Sequence, residues 1–353
     1  MLQLPAVKKE PSLHLRQITH ALEAWFHRQG KDYPWRQTTD PYAILVSEMM
    51  LQQTQISTVL DRGYYARWME RFPDLATLAV ATEPEVLRTW EGLGYYRRSR
   101  FLHQMAQKVV AEHGGTFPSS TKDVRALPGV GDYTAGAVCS FAYDAREAIV
   151  DGNVARVLAR IWNDPTPVDS TEGLSRLWER YRLLVAKAKS PRFLNSALME
   201  LGQTVCRLGT PLCGECPVQE WCQAEIPSDL PVKGKKTVIT EVTERVYFQR
   251  TAAGVLLQLE SGKRRTGLWK LPELEPEVTE GASLPPVLHK AKYTITRYKV
   301  TLWVHEAPEG GSGKVLAEGL QYVPLAELEA LPMPSPYRKA LNAVMAEEEF
   351  QLQ

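Results

Sequence analysis

Among its 353 residues the chain has only five cysteines, a net charge of only +1, and no apolar run approaching the length that crosses a bilayer. The last absence leaves no expectation of a membrane partner. The near balance of charge excludes a uniformly basic coat, so any nucleic-acid contact must come from one local face. The opening stretch, Met1 to Ser12, carries Lys8, Lys9, Glu10 and two prolines. It lacks the apolar core of a secretory signal. Reduced thiols and a cytoplasmic location are expected, and the length suits about two domains.

What is present is concentrated. Cys206, Cys213, Cys216 and Cys222 are spaced C-x6-C-x2-C-x5-C, with Pro217 after the third. Such crowding exceeds what a disulfide pair needs and predicts a metal centre. Structural zinc usually takes two close ligand pairs, and only Cys213 and Cys216 form one. A four-cysteine [4Fe–4S] cluster is the preferred expectation, in a loop over 206–222. Cys139 lies in an apolar helical stretch and reads as a small core residue.

Residues 12–225 read as successive helices. Leu15, Ile18, Leu22, Trp25 and Phe26 recur at helical spacing behind Ser12. Asp40-Pro41 supplies a cap and a first-turn proline for the next helix. The stretch 226–240, rich in proline, glycine and lysine, reads as a linker with Lys233, Lys235 and Lys236. Beyond it the pattern changes to strands. Val255 to Leu259 is a short apolar run, and Lys299 to His305 alternates. Ser335-Pro336 then opens a final helix. The second domain, 241–353, is therefore expected to be α+β.

Leu127-Pro128-Gly129-Val130-Gly131-Asp132-Tyr133-Thr134 combines a helix stop, a glycine hairpin and a helix start. The free amides of the new helix suit a DNA phosphate; a simple helical corner is the plainer alternative. Glu48 sits among Ile44, Leu45, Val46, Met49 and Met50. Burial there raises a carboxyl pKa and prepares it to donate a proton near neutrality. Asp151 follows Ala148-Ile149-Val150 just before a helix near Asn153, where the dipole favours an anion. One carboxyl pushed towards acid and one held as carboxylate suits cleavage of a glycosidic bond through an oxocarbenium-like state. The plainer readings are an N-cap for Asp151 and a solvent-facing Glu48. Gln52-Gln53-Thr54 ends the Glu48 helix in polar groups. Gly92-Leu93-Gly94-Tyr95-Tyr96 joins a turn to two rings that either wedge into a base stack or pack in a core. The segment from Gly92 to Val110 carries Arg97, Arg98, Arg100 and Lys108, a candidate phosphate face or an ordinary solvated one.

Together these motifs, with Tyr33-Pro34-Trp35-Arg36 and Val150-Asp151-Gly152-Asn153-Val154, resemble the A/G-specific (MutY-type) adenine DNA glycosylases of the helix–hairpin–helix superfamily. The resemblance covers most of residues 25–225. It implies a mainly α helix–hairpin–helix catalytic domain with an iron–sulfur loop, followed by a smaller α+β Nudix-like domain. It implies a monomer acting on double-stranded DNA that carries adenine opposite 8-oxoguanine, with the adenine turned out of the stack. On that resemblance Glu48 protonates adenine at N7. Asp151 stabilises the sugar cation, by charge or through a covalent stage, and Asn153 and Tyr133 support it. Trp35, Arg36 and Glu200 line the adenine pocket. Gln53, Thr54, Leu93 and Tyr95 fill the gap and contact the lesion strand, and Gly129 and Gly131 meet the DNA backbone. Endonuclease III-like relatives carry a nucleophilic lysine where this chain has Tyr133, so base removal without strand cleavage is expected.

In the second domain Gly267-Leu268-Trp269-Lys270-Leu271-Pro272 resembles a Nudix-like opening without the glutamate-rich helix that follows in hydrolases. Nucleotide hydrolysis is therefore not expected. The lesion-reading loop is placed at Tyr293 to Tyr298. There Thr296 takes a hydroxyl position and Arg297 stands where many relatives have histidine. Other readings are a glycosylase for thymine or oxidised pyrimidines, and a non-catalytic iron–sulfur DNA-binding protein.

Overall fold

The structure is a computed structural model that describes residues 11–234, 238–262, 265–274, 284–308 and 316–351. Among these, 11–234 contain helices and no strand. The order is α1 (Leu15–Gln29), α2 (Pro41–Leu51), α3 (Ile56–Asp61), α4 (Tyr64–Arg71), α5 (Leu75–Val80), α6 (Glu83–Thr89), α7 (Arg97–His113), α8 (Thr121–Arg125), α9 (Asp132–Tyr143), α10 (Gly152–Ile161), α11 (Thr171–Val185) and α12 (Pro191–Thr204). The chain divides into two compact units. One is Met1–Gln53, Asp74–Ala76 and Met105–Lys236; the other is Thr54–Pro73, Thr77–Gln104 and Thr237–Gln353.

The first unit is built on apolar stripes. Ile18, Leu22 and Trp25 of α1 meet Leu194, Leu198 and Leu201 of α12 and Val154, Val157 and Leu158 of α10 in one core. A leucine buried as Leu198 is contributes about 2–5 kcal/mol relative to alanine. Gly202 allows α12 and the start of α10 to approach closely: a Cβ there would stand 2.6 Å from Asn153 Cβ. Helix α2 starts as its sequence predicts. Asp40 accepts from the Tyr42 amide at 3.0 Å, with Pro41 in the first turn. The first helix differs. Ser12 lies in a short 3-10 turn (Pro11–Leu13), and α1 is preceded by His14 with no side-chain cap.

In the second unit the strands are β1 (Thr240–Phe248), β2 (Arg250–Thr251), β3 (Gly254–Leu259), β4 (Trp269–Lys270), β5 (Val287–Ile295), β6 (Tyr298–Glu306) and β7 (Leu320–Val323), followed by helix α13 (Ser335–Gln351). One sheet has the order β1-β6-β5, with β1 parallel and β5 antiparallel to β6. The other joins β2, β3 and β4, with β7 also on β3. Val300, Leu302 and Val304 alternate to the buried side of β6, and Leu302 and Val304 join a core with Val246, Leu257, Tyr337 and Leu341.

The expected fold class needs correction on two points. The helical region is followed by a smaller mixed α/β region, but these two sheets do not present a clear Nudix topology. The expected metal-binding loop is also not found. Among the described residues no three His, Cys, Asp or Glu side chains are grouped so as to hold a metal ion. Residues 275–283, where a Nudix helix was expected to be missing, and Lys235 and Lys236 lie outside the described residues.

Candidate active site

Helix α2 buries every side chain from Tyr42 to Met50, and Glu48 is carried in with them. Glu48 is 5% exposed. Removal from water pushes its carboxyl up to about 7. A hydrogen bond with Tyr133 and the Arg36 guanidinium favour its anion, while the negative charge of Asp151 opposes it. Burial outweighs the rest. Tyr133, in the first turn of α9, is itself held protonated well above its ordinary value by burial and by Glu48 and Asp151.

Asp151 is the N-cap of α10. Its Oδ1 accepts from the Val154 amide at 2.7 Å, and its Oδ2 from Asn153 Nδ2 at 3.0 Å. Asn153 is oriented in turn by Arg156, whose Nη2 donates to Asn153 Oδ1 at 2.9 Å and to the Gly202 carbonyl at 2.7 Å. The Arg156 Nε donates to the Cys206 carbonyl at 2.8 Å. Sequence reasoning missed Arg156, because an arginine inside a helix stripe carries no local mark of the acceptor it will reach. The plainer reading of Asp151 as a helix cap is thus correct, and Asp151 also lies within electrostatic reach of Glu48 and Tyr133.

A second wall comes from the Pro34–Arg36 turn and α12. Arg36 Nη1 donates to Glu200 Oε2 at 2.9 Å and to the Lys31 carbonyl at 2.7 Å. Its guanidinium lies over the rings of Tyr33 and Phe26. Trp35 is buried and stacks on Tyr33 with centroids 5.3 Å apart. Glu200 is 1% exposed, and its Oε1 is buried without a hydrogen-bond partner. An unsatisfied buried acceptor is costly and suits a ligand that brings a donor.

The hairpin joins α8 to α9 as its glycines suggest, but they act differently. Gly129 adopts φ +72°, whereas Gly131 is extended and caps α9 without a side chain. A Cβ at Gly131 would meet nothing within 4 Å.

Gln53 is exposed with φ +58° at the end of α2, and Gln52 Nε2 donates to Thr134 Oγ1 at 3.5 Å. In the second unit, Thr54, Leu93 and the Gly94 carbonyl are gathered around Arg98, which donates to Thr54 Oγ1 at 3.4 Å and to the carbonyls of Leu93 and Gly94 at 3.3 and 3.1 Å. Arg98 is buried and also lies against the Tyr95 ring. It therefore braces the turn instead of forming a phosphate stripe. Arg100 likewise pairs with Glu83 at 2.6 Å. Leu93 is buried, while Tyr95 has φ +48°. Thr296 is exposed at the β5–β6 tip with φ +51°, its hydroxyl donating to the Ile295 carbonyl at 2.7 Å. Arg297 is exposed and donates to Tyr298 Oη at 3.1 Å. Left-handed backbone at Gln53, Tyr95 and Thr296 is uncommon for such residues, and Asp144 and Asn163 share it.

The cysteines require a correction. Cys206, Cys213, Cys216 and Cys222 line a common hollow with Arg160, yet they do not form a metal-ligand group. The Cys216 thiol is buried and pushed up to about 12, far from a thiolate. The Cys222 thiol donates to the Arg160 carbonyl at 3.3 Å, and Arg160 Nη1 donates to Cys206 Sγ at 3.3 Å. Cys213 is exposed. Cys139 is buried in the core, as its apolar setting predicts.

The pattern of the HhH-GPD superfamily base excision DNA repair proteins matches residues 46–181. The adenine DNA glycosylase of Mycolicibacterium smegmatis is 39% identical over 242 residues, which cover 67% of this chain and 78% of that protein. The chain belongs to the adenine DNA glycosylase family. Family resemblance from sequence therefore holds, without its metal-cluster component. The mouse adenine DNA glycosylase is 47% identical over 215 residues, covering 58% of this chain; the chain spans only 41% of that longer relative. Among solved structures, a thermostable thymine-DNA glycosylase aligns with TM-score 0.54 and 26% identity, over 61% of this chain and 98% of its own. The matched 46–181 stretch contains Glu48, Tyr133 and Asp151.

Proposed function

We propose that the chain removes adenine mispaired with 8-oxoguanine or guanine from double-stranded DNA and leaves the phosphodiester backbone intact. The observation that carries this reading is Glu48: a buried carboxyl pushed to about 7, hydrogen-bonded to Tyr133 and within the field of Asp151. Half protonated near neutrality, it can give a proton to a purine ring nitrogen. The leaving base then departs neutral. Asp151 answers the positive charge that develops on the sugar, where a fixed carboxylate needs no reorganisation. Asn153 holds its orientation. The unsatisfied Glu200 Oε1 accepts from an exocyclic amine, which thymine lacks, and Trp35 supplies a flat wall. Gln53, Thr54, Leu93 and Tyr95 attend to the gap and the opposite strand. Thr296 and Arg297 read the lesion, and the amides after Gly129 and Gly131 hold phosphate.

Under single-turnover conditions, duplexes with adenine opposite 8-oxoguanine should yield alkali-labile abasic sites, and borohydride should trap no covalent imine because Tyr133 has no amine. No adenine release, or release of thymine or oxidised pyrimidines in its place, overturns the reading. No described helix is long and apolar enough to cross a membrane, and the proposed partner is DNA alone, met by a monomer in the cytoplasm.

The hydrogen bond from Tyr133 favours the Glu48 anion. Tyr133→Phe should therefore raise the Glu48 pKa further and move the alkaline fall of the single-turnover rate to higher pH. A limb that stays in place, or moves to lower pH, would show that this bond does not set the acid.

A further inference from the structure

Two parts of the second unit that the proposed function uses separately each lead, through polar contacts, to neighbouring residues at the start of α13. One is the turn Gly92–Tyr95. The other is the hairpin tip at Thr296 and Arg297. Three residues before Thr296, the Tyr293 hydroxyl donates to Glu244 Oε2 at 2.6 Å. Tyr337, at the start of α13, donates to the same oxygen at 2.8 Å. Arg265 ties the two phenols together, donating to Tyr293 Oη at 3.0 Å and to Tyr337 Oη at 3.1 Å.

Arg338, the next residue along α13, begins a second set of contacts. Arg338 Nε donates to Glu91 Oε1 at 3.0 Å and Nη2 to Oε2 at 3.4 Å, with both side chains largely buried. The remaining Arg338 donors meet the carbonyls of Leu328 and Leu331 at 2.7 and 2.5 Å. Glu91 Oε2 also accepts from the Met333 amide at 3.3 Å. At the far end of the turn, the buried Tyr96 donates to the Met333 carbonyl at 3.0 Å. Both ends of the turn bearing Leu93 and Tyr95 are thus fastened to one short stretch before and within α13.

A buried ion pair is a poor source of stability but a good way to specify one arrangement. We propose that Glu91 and Arg338 are positioning residues that couple the β5–β6 hairpin tip to the Gly92–Tyr95 turn, so that the base met at the tip sets how firmly the turn holds Leu93 and Tyr95. The inference rests on the adenine-glycosylase reading. A base that favours one placement of Tyr293 biases the Glu244–Arg265 pair, then Tyr337, and through the shared first turn of α13 the placement of Arg338.

The test uses the full chain and duplexes with adenine opposite either 8-oxoguanine or guanine. In Glu91→Gln and in Arg338→Met, the ratio of the two single-turnover rates should fall about tenfold, with the guanine rate within about twofold of the parent. The double variant should lose no more than either single one. Tyr337→Phe, which interrupts the first set of contacts, should lower the same ratio. Equal loss on both duplexes with a lowered melting temperature would mean a structural brace only, and overturns the coupling. So does an unchanged ratio, or an intact ratio in Tyr337→Phe. The same ratios are read as equilibrium affinities in a Glu48→Gln background. If the parent protein releases no adenine, the glycosylase reading fails, and these affinities still decide the coupling.

Discussion

Glu48→Gln should stop adenine release and at the same time make the protein more stable above pH 7. The two effects have one cause. General acid catalysis by a positioned group contributes about 10²–10⁴-fold, and an amide has no acidic proton to give. The stability effect follows from burial. The folded-state pKa of Glu48, about 7, lies above its ordinary 4.5. Folding therefore favours the protonated form. Its contribution is complete below about 4.5 and is lost as pH rises through about 7. At pH 8 the buried anion costs on the order of 3 kcal/mol, which neutral glutamine of the same shape removes. Denaturant melts of parent and variant at pH 5 and pH 8 check it: the gap should open at the higher pH. A variant less stable than the parent at pH 8 contradicts the burial argument. Retained single-turnover activity removes Glu48 as the acid. In the parent protein, the rate should fall as pH rises through about 7, as the donor form disappears.

Asp151→Asn should lower the single-turnover rate by about 10²–10³-fold while duplex affinity changes little, since a preorganised charge facing the developing cation is lost. Asparagine still accepts from the Val154 amide through its carbonyl oxygen and remains a good N-cap. The contact to Asn153 Nδ2 uses the other Asp151 oxygen, and an amide nitrogen placed there would oppose it. Helix α10 should therefore stay folded, and circular dichroism with a melting curve separates this from unfolding. A rate within a few-fold of the parent would leave Asp151 only as a cap. A large loss of DNA affinity would assign it to binding instead of the chemical step.

Much of the helical region was legible because its determinants are local. Asp40-Pro41 announces α2, the apolar neighbours of Glu48 announce its burial, and alternation from Lys299 to His305 announces β6. The pairing of β1 with β6 was not legible, since a strand carries no mark of its partner. Nor was the grouping of Thr54–Pro73 and Thr77–Gln104 with the C-terminal residues. The arginines after Tyr96 looked like a phosphate face, but Arg98 turns inward to carbonyls of the preceding turn. The cysteine spacing predicted a metal centre. Spacing places sulfurs near one another along the chain, whereas ligation needs them to converge, and Arg160 and its carbonyl engage two of them instead.

By itself, the order of residues determined where α2 begins, which faces are apolar, and that Glu48 sits among apolar neighbours while Asp151 precedes a helix. Only tertiary structure brought them within electrostatic reach of each other. Roughly a hundred residues lie between them along the chain, so their mutual field, and the water that α9 and α10 exclude, arise from packing. A carboxyl pKa answers to the atoms around it in space, and no local pattern contains those.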